Sequence, residues 1–511
     1  MHSIKHSIKY RFKPIKHLAP LALVLLTACG TQVVNPVTGR AERSVMDEAT
    51  EIAEGKKAHE QVLTEYGVLA NPGLQAYVNG LGQKLAKESH RAQLTWTFTV
   101  LDSPEINAFA LPGGYVYVTR GIMAYLDSEA DLAGVIGHEI GHVTARHGAQ
   151  RATSQQNAGV GVVAATVLGV LIEGVTGVGG AAQAASQFGQ SVAAGRLASY
   201  SREQETQADR LGAEYLARTR YNPRNMIDVI QVLKNQERFA ADQAKAEGRT
   251  AASGGSWLSS HPSNDKRLAD IQQVAATYTG SYGGDGRERY FKAIEGLPFG
   301  DSAAQGLVRG RNFYHGDLGF ALTAPVGWQV RNTAEAVMLV NGAGDAGLIL
   351  RLVPPKAGST HEEIIRNVIK PTDGRSEARS FNGLAATHFV GTRRNDQGQA
   401  QGITVSVVTG PGSHNYLLQY AAKDPAALQR AGAGLQEAES SFRALTAADR
   451  SAARPWTLRT AAFPRGGFAE LARGSPLSGP AAQAEGQLRL LNGAYGGGPD
   501  PAVGAPVKVV Q

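Results

Sequence analysis

Apolar residues follow three different rhythms along the chain. From Met46 to about Gly280 they recur at helical spacing: residues 46–66 read as one helix, and Leu74, Tyr77, Val78, Leu81 and Leu85 mark the face of a second. Alternation interrupts this. Trp96, Phe98 and Val100 point one way from a strand, and residues 115–119 form another after the turn Pro112-Gly113-Gly114. Ala130, Leu132, Ala133, Val135 and Ile136 then build a largely buried helix, opened by Ser128 with Asp131 three residues on as a capping box. A sheet just ahead of such a helix either offers its edge to an extended peptide or is an ordinary buried hairpin, and the pattern leaves both open.

A Gly-rich stretch near Gly280 to Gly286 closes this unit. Strand-like runs at 320–322, 337–340, 348–353, 387–391, 404–409 and 416–420 follow, with helices near 361–369 and 425–442. Residues from Trp456 onward carry few such signals. The expected class is α+β: a mainly helical unit with a small sheet (46–280), a linker (281–310), a smaller α+β domain (311–447) and a C-terminal module (456–511). The uncharged run 158–172 reaches Glu173 too soon and holds too many glycines for a membrane span. It is expected to be a mobile apolar helix or loop packed near the cleft, with a plain helical hairpin as the alternative.

Residues 1–28 hold Lys5, Lys9, Arg11, Lys13 and Lys16 and no acid, followed by an apolar run from Leu18 to Leu26. That is the composition of a signal peptide. It ends Leu26-Thr27-Ala28-Cys29, which resembles the lipobox of bacterial lipoproteins, where the cysteine is acylated and becomes the N-terminus. Residues 29–45 would then be a tether. Loss of five cations takes the formal net charge from +7 to +2, so the basic balance belongs largely to the leader and does not point to nucleic acid. Cys29 is the only cysteine, which excludes an internal disulfide. Gly30 follows it where inner-membrane retention usually needs Asp, so lipoprotein sorting rules favour the periplasmic face of the outer membrane.

His138, Glu139 and His142 form H-E-x-x-H on the buried helix. Two histidines four apart share one helix face, imidazole is a good zinc ligand, and Glu139 can take a proton from metal-activated water. A third ligand is needed. A metzincin would have Gly at 145 and His at 148, but this chain has Ala145 and Gly148, which excludes that class. A gluzincin takes a glutamate from a later helix, and Glu205 with Asp209 one turn on fits: Glu205 as ligand, Asp209 holding a zinc histidine through its second ring N–H, Glu203 on the solvated face. One Zn²⁺ per chain is expected. His261 and Arg267, in a turn before a new helix, are candidate catalytic donors to the oxyanion.

The chain resembles the gluzincin peptidases related to HtpX, Oma and the periplasmic lipoprotein BepA. The likeness rests on Asn35-Pro36-Val37-Thr38-Gly39-Arg40, on residues 107–114, on His138 to His142 with the continuation to His147, on Glu205 with Ala208-Asp209, and on His261-Pro262 with Arg267. It implies a zincin-type metalloprotease domain at 46–280, acting in protein quality control on misfolded or unassembled envelope proteins. It also implies that the His-Pro loop lies over the zinc cleft. His147, five residues after His142, is rotated off the ligand face and is read as structural. Residues 311–447 look like a PsbP or Mog-like module for binding. Residues 456–511 look like a degenerate LysM-like module, through which peptidoglycan or envelope complexes would be partners. The rival reading is a chaperone-like scaffold lipoprotein with minor or latent proteolysis.

Overall fold

The computed structural model describes residues 31–157, 200–246, 261, 265–333, 336–394, 398–477 and 481–511. The expected leader, Cys29 and the run at 158–172 lie outside the described residues. Among those described, no helix is long and apolar enough to cross a membrane. The molecule is α+β: a helical region with a small sheet, then a sheet-rich region, as the apolar rhythm predicts.

The first helix, Glu48–Tyr66, starts where Asp47 accepts from the Thr50 N–H. The second, Pro72–Lys87, starts where Asn71 accepts from Leu74 N at 3.0 Å. Each cap satisfies a backbone donor that the first turn would otherwise leave orphaned. Leu74, Val78, Leu81 and Leu85 are buried, as their spacing predicts. Gly82 lets this helix lie flat on the strand Thr97–Leu101, since a Cβ there would sit 2.3 Å from the Phe98 ring. That strand pairs in parallel with Tyr115–Thr119, which pairs antiparallel with Ala108–Leu111 at the sheet edge.

Every residue of the helix Glu129–Thr144 is buried. Ser128 Oγ accepts from Asp131 N at 3.1 Å, and the Asp131 carboxylate reaches back to Asp127 N at 3.1 Å, one residue before the expected capping-box partner. Residues 456–511 pack against this end of the helix. The strand Trp456–Ala462 pairs with Pro506–Val510 and with Pro298–Phe299. Leu458, Phe468, Leu488, Leu491 and Val507 share one core with Ile122, Leu126, Leu132, Val229 and Leu233. Lys508 is buried among them and donates to Ala124 O at 3.1 Å and Leu126 O at 2.7 Å, with Asp127 Oδ1 at 3.0 Å. These partners offset the desolvation of its ammonium, which still holds its pKa below the ordinary lysine value.

Between these parts stands a seven-stranded antiparallel sheet, ordered Gln329–Asn332, Val337–Val340, Ala346–Leu352, Asn415–Ala422, Ala400–Thr409, Leu384–Arg394 and Asp373–Phe381. The helix Pro425–Ser440 covers one face through Leu435 and Ala438. Ile364, Ile365 and Ile369 cover the other, over Val405, Val407 and Leu417. The helix expected at 361–369 is α-helical only over His361–Ile364 and widens into a π-turn over Ile365–Ile369. The two edge strands carry no clear alternation of apolar residues and are absent from the sequence-based expectation.

Candidate metal centre

Two helices cross at glycines to make the site. A Cβ on Gly137 would lie 3.3 Å from Gly212 Cα, one on Gly141 3.0 Å from Ala208 O, and one on Gly212 3.1 Å from His138 N. With no side chains between them, the helix Glu129–Thr144 and the helix Arg202–Arg218 approach backbone to backbone. Ser201 opens the second helix in a full capping box with Gln204, so Glu205 faces inward in its first turn and Asp209 one turn later. Both carboxylates therefore face His138 and His142. Glu203 is exposed, as expected.

Four side chains converge here. Donor atoms of His138, His142, Glu205 and His261, all buried, lie within 4.8 Å of one another. His138 Nε2 stands 3.0 Å from His142 Nε2 and 3.1 Å from His261 Nδ1. Glu205 Oε1 is 2.9 Å from His261 Nδ1 and 3.4 Å from His142 Nε2. Ligand atoms at zinc distances on a tetrahedron are about 3.3 Å apart. Glu139 Oε1 lies 3.7 Å from His261 Nε2.

The other ring nitrogens fix the tautomers. His138 Nδ1 lies 2.9 Å from Asp209 Oδ1, and a carboxylate can only accept, so the proton is on Nδ1. His142 Nδ1 lies 2.8 Å from His147 Nδ1, whose Nε2 is 2.9 Å from Gln207 Oε1. Burial lowers the His147 pKa to about 4, so the ring is neutral near pH 7. It then donates from Nε2 to the amide oxygen and accepts from His142 on Nδ1. Both Nε2 atoms at the centre are thus unprotonated donors to a metal, facing each other beside a carboxylate and His261. The residues fit a metal. Burial likewise holds the His142 pKa well below its ordinary value. Burial pushes Glu205 up, but His261, His142 and Arg267 outweigh it and leave the carboxyl well below the usual range.

Arg267 lies behind the donors. Its Nε and Nη2 bond Asp209 at 2.6 and 2.7 Å, and its Nη1 lies 2.7 Å from Glu205 Oε2 and donates to the His261 carbonyl at 3.2 Å. Burial raises the Asp209 pKa, but Arg267 and His138 together outweigh it, so the net shift is downward. Tyr200 stacks on His142 at 3.8 Å between ring centroids, with the Arg151 guanidinium 4.7 Å from its ring. Neither Tyr200 nor the link from His147 to His142 was anticipated from the sequence. His147 is five residues from His142 but beyond the helix, where Arg146 adopts a left-handed φ of 60° and turns the chain back. Helical spacing could not reveal that return.

Comparison with known proteins finds peptidases similar to this part of the chain. Residues 72–275 match Peptidase family M48. The matched segment holds all four donors. The Beta-barrel assembly-enhancing protease of Yersinia pestis is 28% identical over 246 residues, covering 47% of this chain and 47% of that protein. Its namesake from Escherichia coli O157:H7 is 30% identical over 248 residues, again 47% of each. The Mitochondrial metalloendopeptidase OMA1 of Schizosaccharomyces pombe is 29% identical over 220 residues, 42% of this chain and 58% of that one. The chain spans about half the length of these relatives. The resemblance to BepA- and Oma-type peptidases is borne out. Among solved structures, cyanobacterial PsbP (CyanoP) from Synechocystis sp. PCC 6803 matches at 15% identity and a TM-score of 0.21, over 27% of this chain and 98% of that one, and carries no argument.

Proposed function

We propose that this chain is a zinc-dependent endopeptidase of misfolded or unassembled envelope proteins, exported by residues 1–28 and fixed to the outer membrane by a lipid on Cys29. The observation that carries the catalytic reading is the convergence of the His138 and His142 Nε2 atoms and the Glu205 carboxylate beside Glu139. His138, His142 and Glu205 would hold one zinc ion, which when bound acidifies a water and polarises the scissile carbonyl. Glu139 takes the water proton and returns it to the leaving amine. Asp209 and His147 keep the two imidazoles in the ligating tautomer, and Arg267 clamps Asp209 and Glu205 rather than meeting substrate. The strand Ala108–Leu111, at the edge of its sheet and packed along the metal helix, supports substrate binding as an added strand. Residues 311–447 and 456–511 serve to bind envelope partners. The relatives' names, a protease that enhances β-barrel assembly and a mitochondrial metalloendopeptidase, support the substrate class.

One observation favours a second state of the same site. His261 Nδ1 lies beside Glu205 and His138, so it would serve as a fourth protein donor to a bound metal, and proteolysis would be latent until His261 withdraws. Digestion of β-casein with and without a chelator, followed by zinc re-addition, tests the whole reading. Loss on chelation and recovery with zinc supports it; digestion indifferent to chelator overturns it.

A further inference from the structure

We propose that the hairpin Thr31–Val34 and Ala41–Ser44 is a rigid mount that holds the metal centre close over the membrane bearing the Cys29 lipid, so that the chain cleaves polypeptide segments lying at that lipid surface. The inference rests on the peptidase and lipoprotein readings above and adds to them where the substrate must be.

The hairpin is bolted to the metal helix. Asn35, 1% exposed, donates to Ala145 O at 3.2 Å and to Glu42 Oε1 at 3.0 Å, while its own Oδ1 accepts from Val37 N and Thr38 N and shapes the turn. Ala145 is the C-cap of the helix that carries His138 and His142. Gln150 on the next helix, His147–Asn157, donates both to Glu42 Oε2 at 2.9 Å and to the same Ala145 carbonyl. Val45 N bonds Thr153 Oγ1 at 3.1 Å, and the buried Arg146 bonds Met46 O at 2.7 Å and Glu51 at 3.0 Å. Met46, Ala149 and Ala152 close an apolar contact beneath. The seventeen residues expected to be a tether are, from Thr31 on, part of the folded body.

Chain length then bounds the height of the site. Five residues lie between Cys29 and Asn35, so the span is at most roughly 20 Å even when fully extended. Ala145 lies less than one turn beyond His142, roughly 5 Å along the axis. With the side-chain lengths added, an acylated Cys29 is no more than about 40 Å from the donor set, whatever path Gly30 takes. A free seventeen-residue tether would have reached about 60 Å in all, roughly 40 Å farther. The site is thus confined to a shell next to the bilayer, and polypeptides held well above that shell are out of range.

The test uses the full-length acylated protein in vesicles of phosphatidylethanolamine and phosphatidylglycerol. One quenched fluorogenic twenty-residue peptide is coupled to the headgroup through a spacer of about 10 Å or through a rigid polyproline spacer of about 90 Å. The expected result is at least tenfold faster cleavage of the short-spaced peptide. Inserting forty Gly/Ser residues between Gly30 and Thr31 is expected to bring that ratio close to one. Equal rates on the two spacers with the native chain, or an unchanged ratio after the insertion, overturns the proposal. Cleavage of the same peptide free in detergent reports on the peptidase reading separately, and the mass of the N-terminal peptide, beside a Cys29→Ser control, reports on acylation separately.

Discussion

Removing Arg267 should unfasten the centre without touching a single metal donor. The guanidinium is 4% exposed and makes two bonds to Asp209, at 2.6 and 2.7 Å, with Glu205 2.7 Å from its remaining nitrogen. Arg267→Ala leaves two buried carboxylates without their cation. Breaking a buried pair by deleting one partner costs about 3–5 kcal/mol, and solvent does not screen this one. Asp209 would also lose the clamp that aims it at His138, and disturbance of such a supporting carboxylate weakens metal affinity by about 10–100-fold. Arg267→Lys keeps the charge but not the fork, so it should fall between the two. Urea unfolding of the metal-free protein followed by tryptophan fluorescence, together with zinc competition against a chromogenic chelator, reads both quantities. Stability within about 1 kcal/mol of wild type and undiminished zinc affinity would refute the clamp. If the same variant still hydrolyses peptide slowly with full zinc, the oxyanion role expected from the sequence regains its place.

Three further outcomes are expected. Purified protein should carry about one zinc per chain by metal analysis, and Glu205→Ala should lose most of it; full occupancy in that variant removes Glu205 from the ligand set. His261→Ala, compared at matched zinc occupancy, should raise casein hydrolysis because it opens the closed centre; a fall would instead make His261 a donor to the transition state. Burial, with Asp127 and Asp228 nearby, raises the pKa of Asp131 to about 7. A carboxyl whose folded pKa exceeds its unfolded value stabilises the native state only while protonated, so stability is greatest below about pH 4 and declines as pH rises through 7, by roughly 2–4 kcal/mol. Asp131→Asn should flatten that slope in urea titrations between pH 4 and 8; a slope unchanged by the substitution would show that Asp131 is not its source.

Local signals made much of this legible. The apolar helix Glu129–Thr144, its serine cap and the strand Tyr115–Thr119 fall where periodicity places them, because each buries a face that the pattern records. The pairing of Glu205 with Asp209 was visible because both are one helical turn apart. What stayed hidden depends on tertiary approach. Asp373–Phe381 is an edge strand exposed for most of its length, so it shows no apolar alternation. Arg267 was expected to be a donor to the oxyanion, and its bonds to Asp209 depend on where the helix Asp265–Ala276 packs, which local spacing does not record. Asn35 belonged to a motif without an evident task, since its partner carbonyl lies 110 residues away.

The general base bears on the central claim most directly. Glu139→Gln preserves size and hydrogen bonding, leaves His138, His142 and Glu205 in place, and removes only the carboxylate that accepts the water proton. Zinc content and β-casein turnover measured on the same preparation should show about one zinc per chain and hydrolysis lowered at least a hundredfold. Turnover retained at the wild-type rate with zinc still bound would contradict the account.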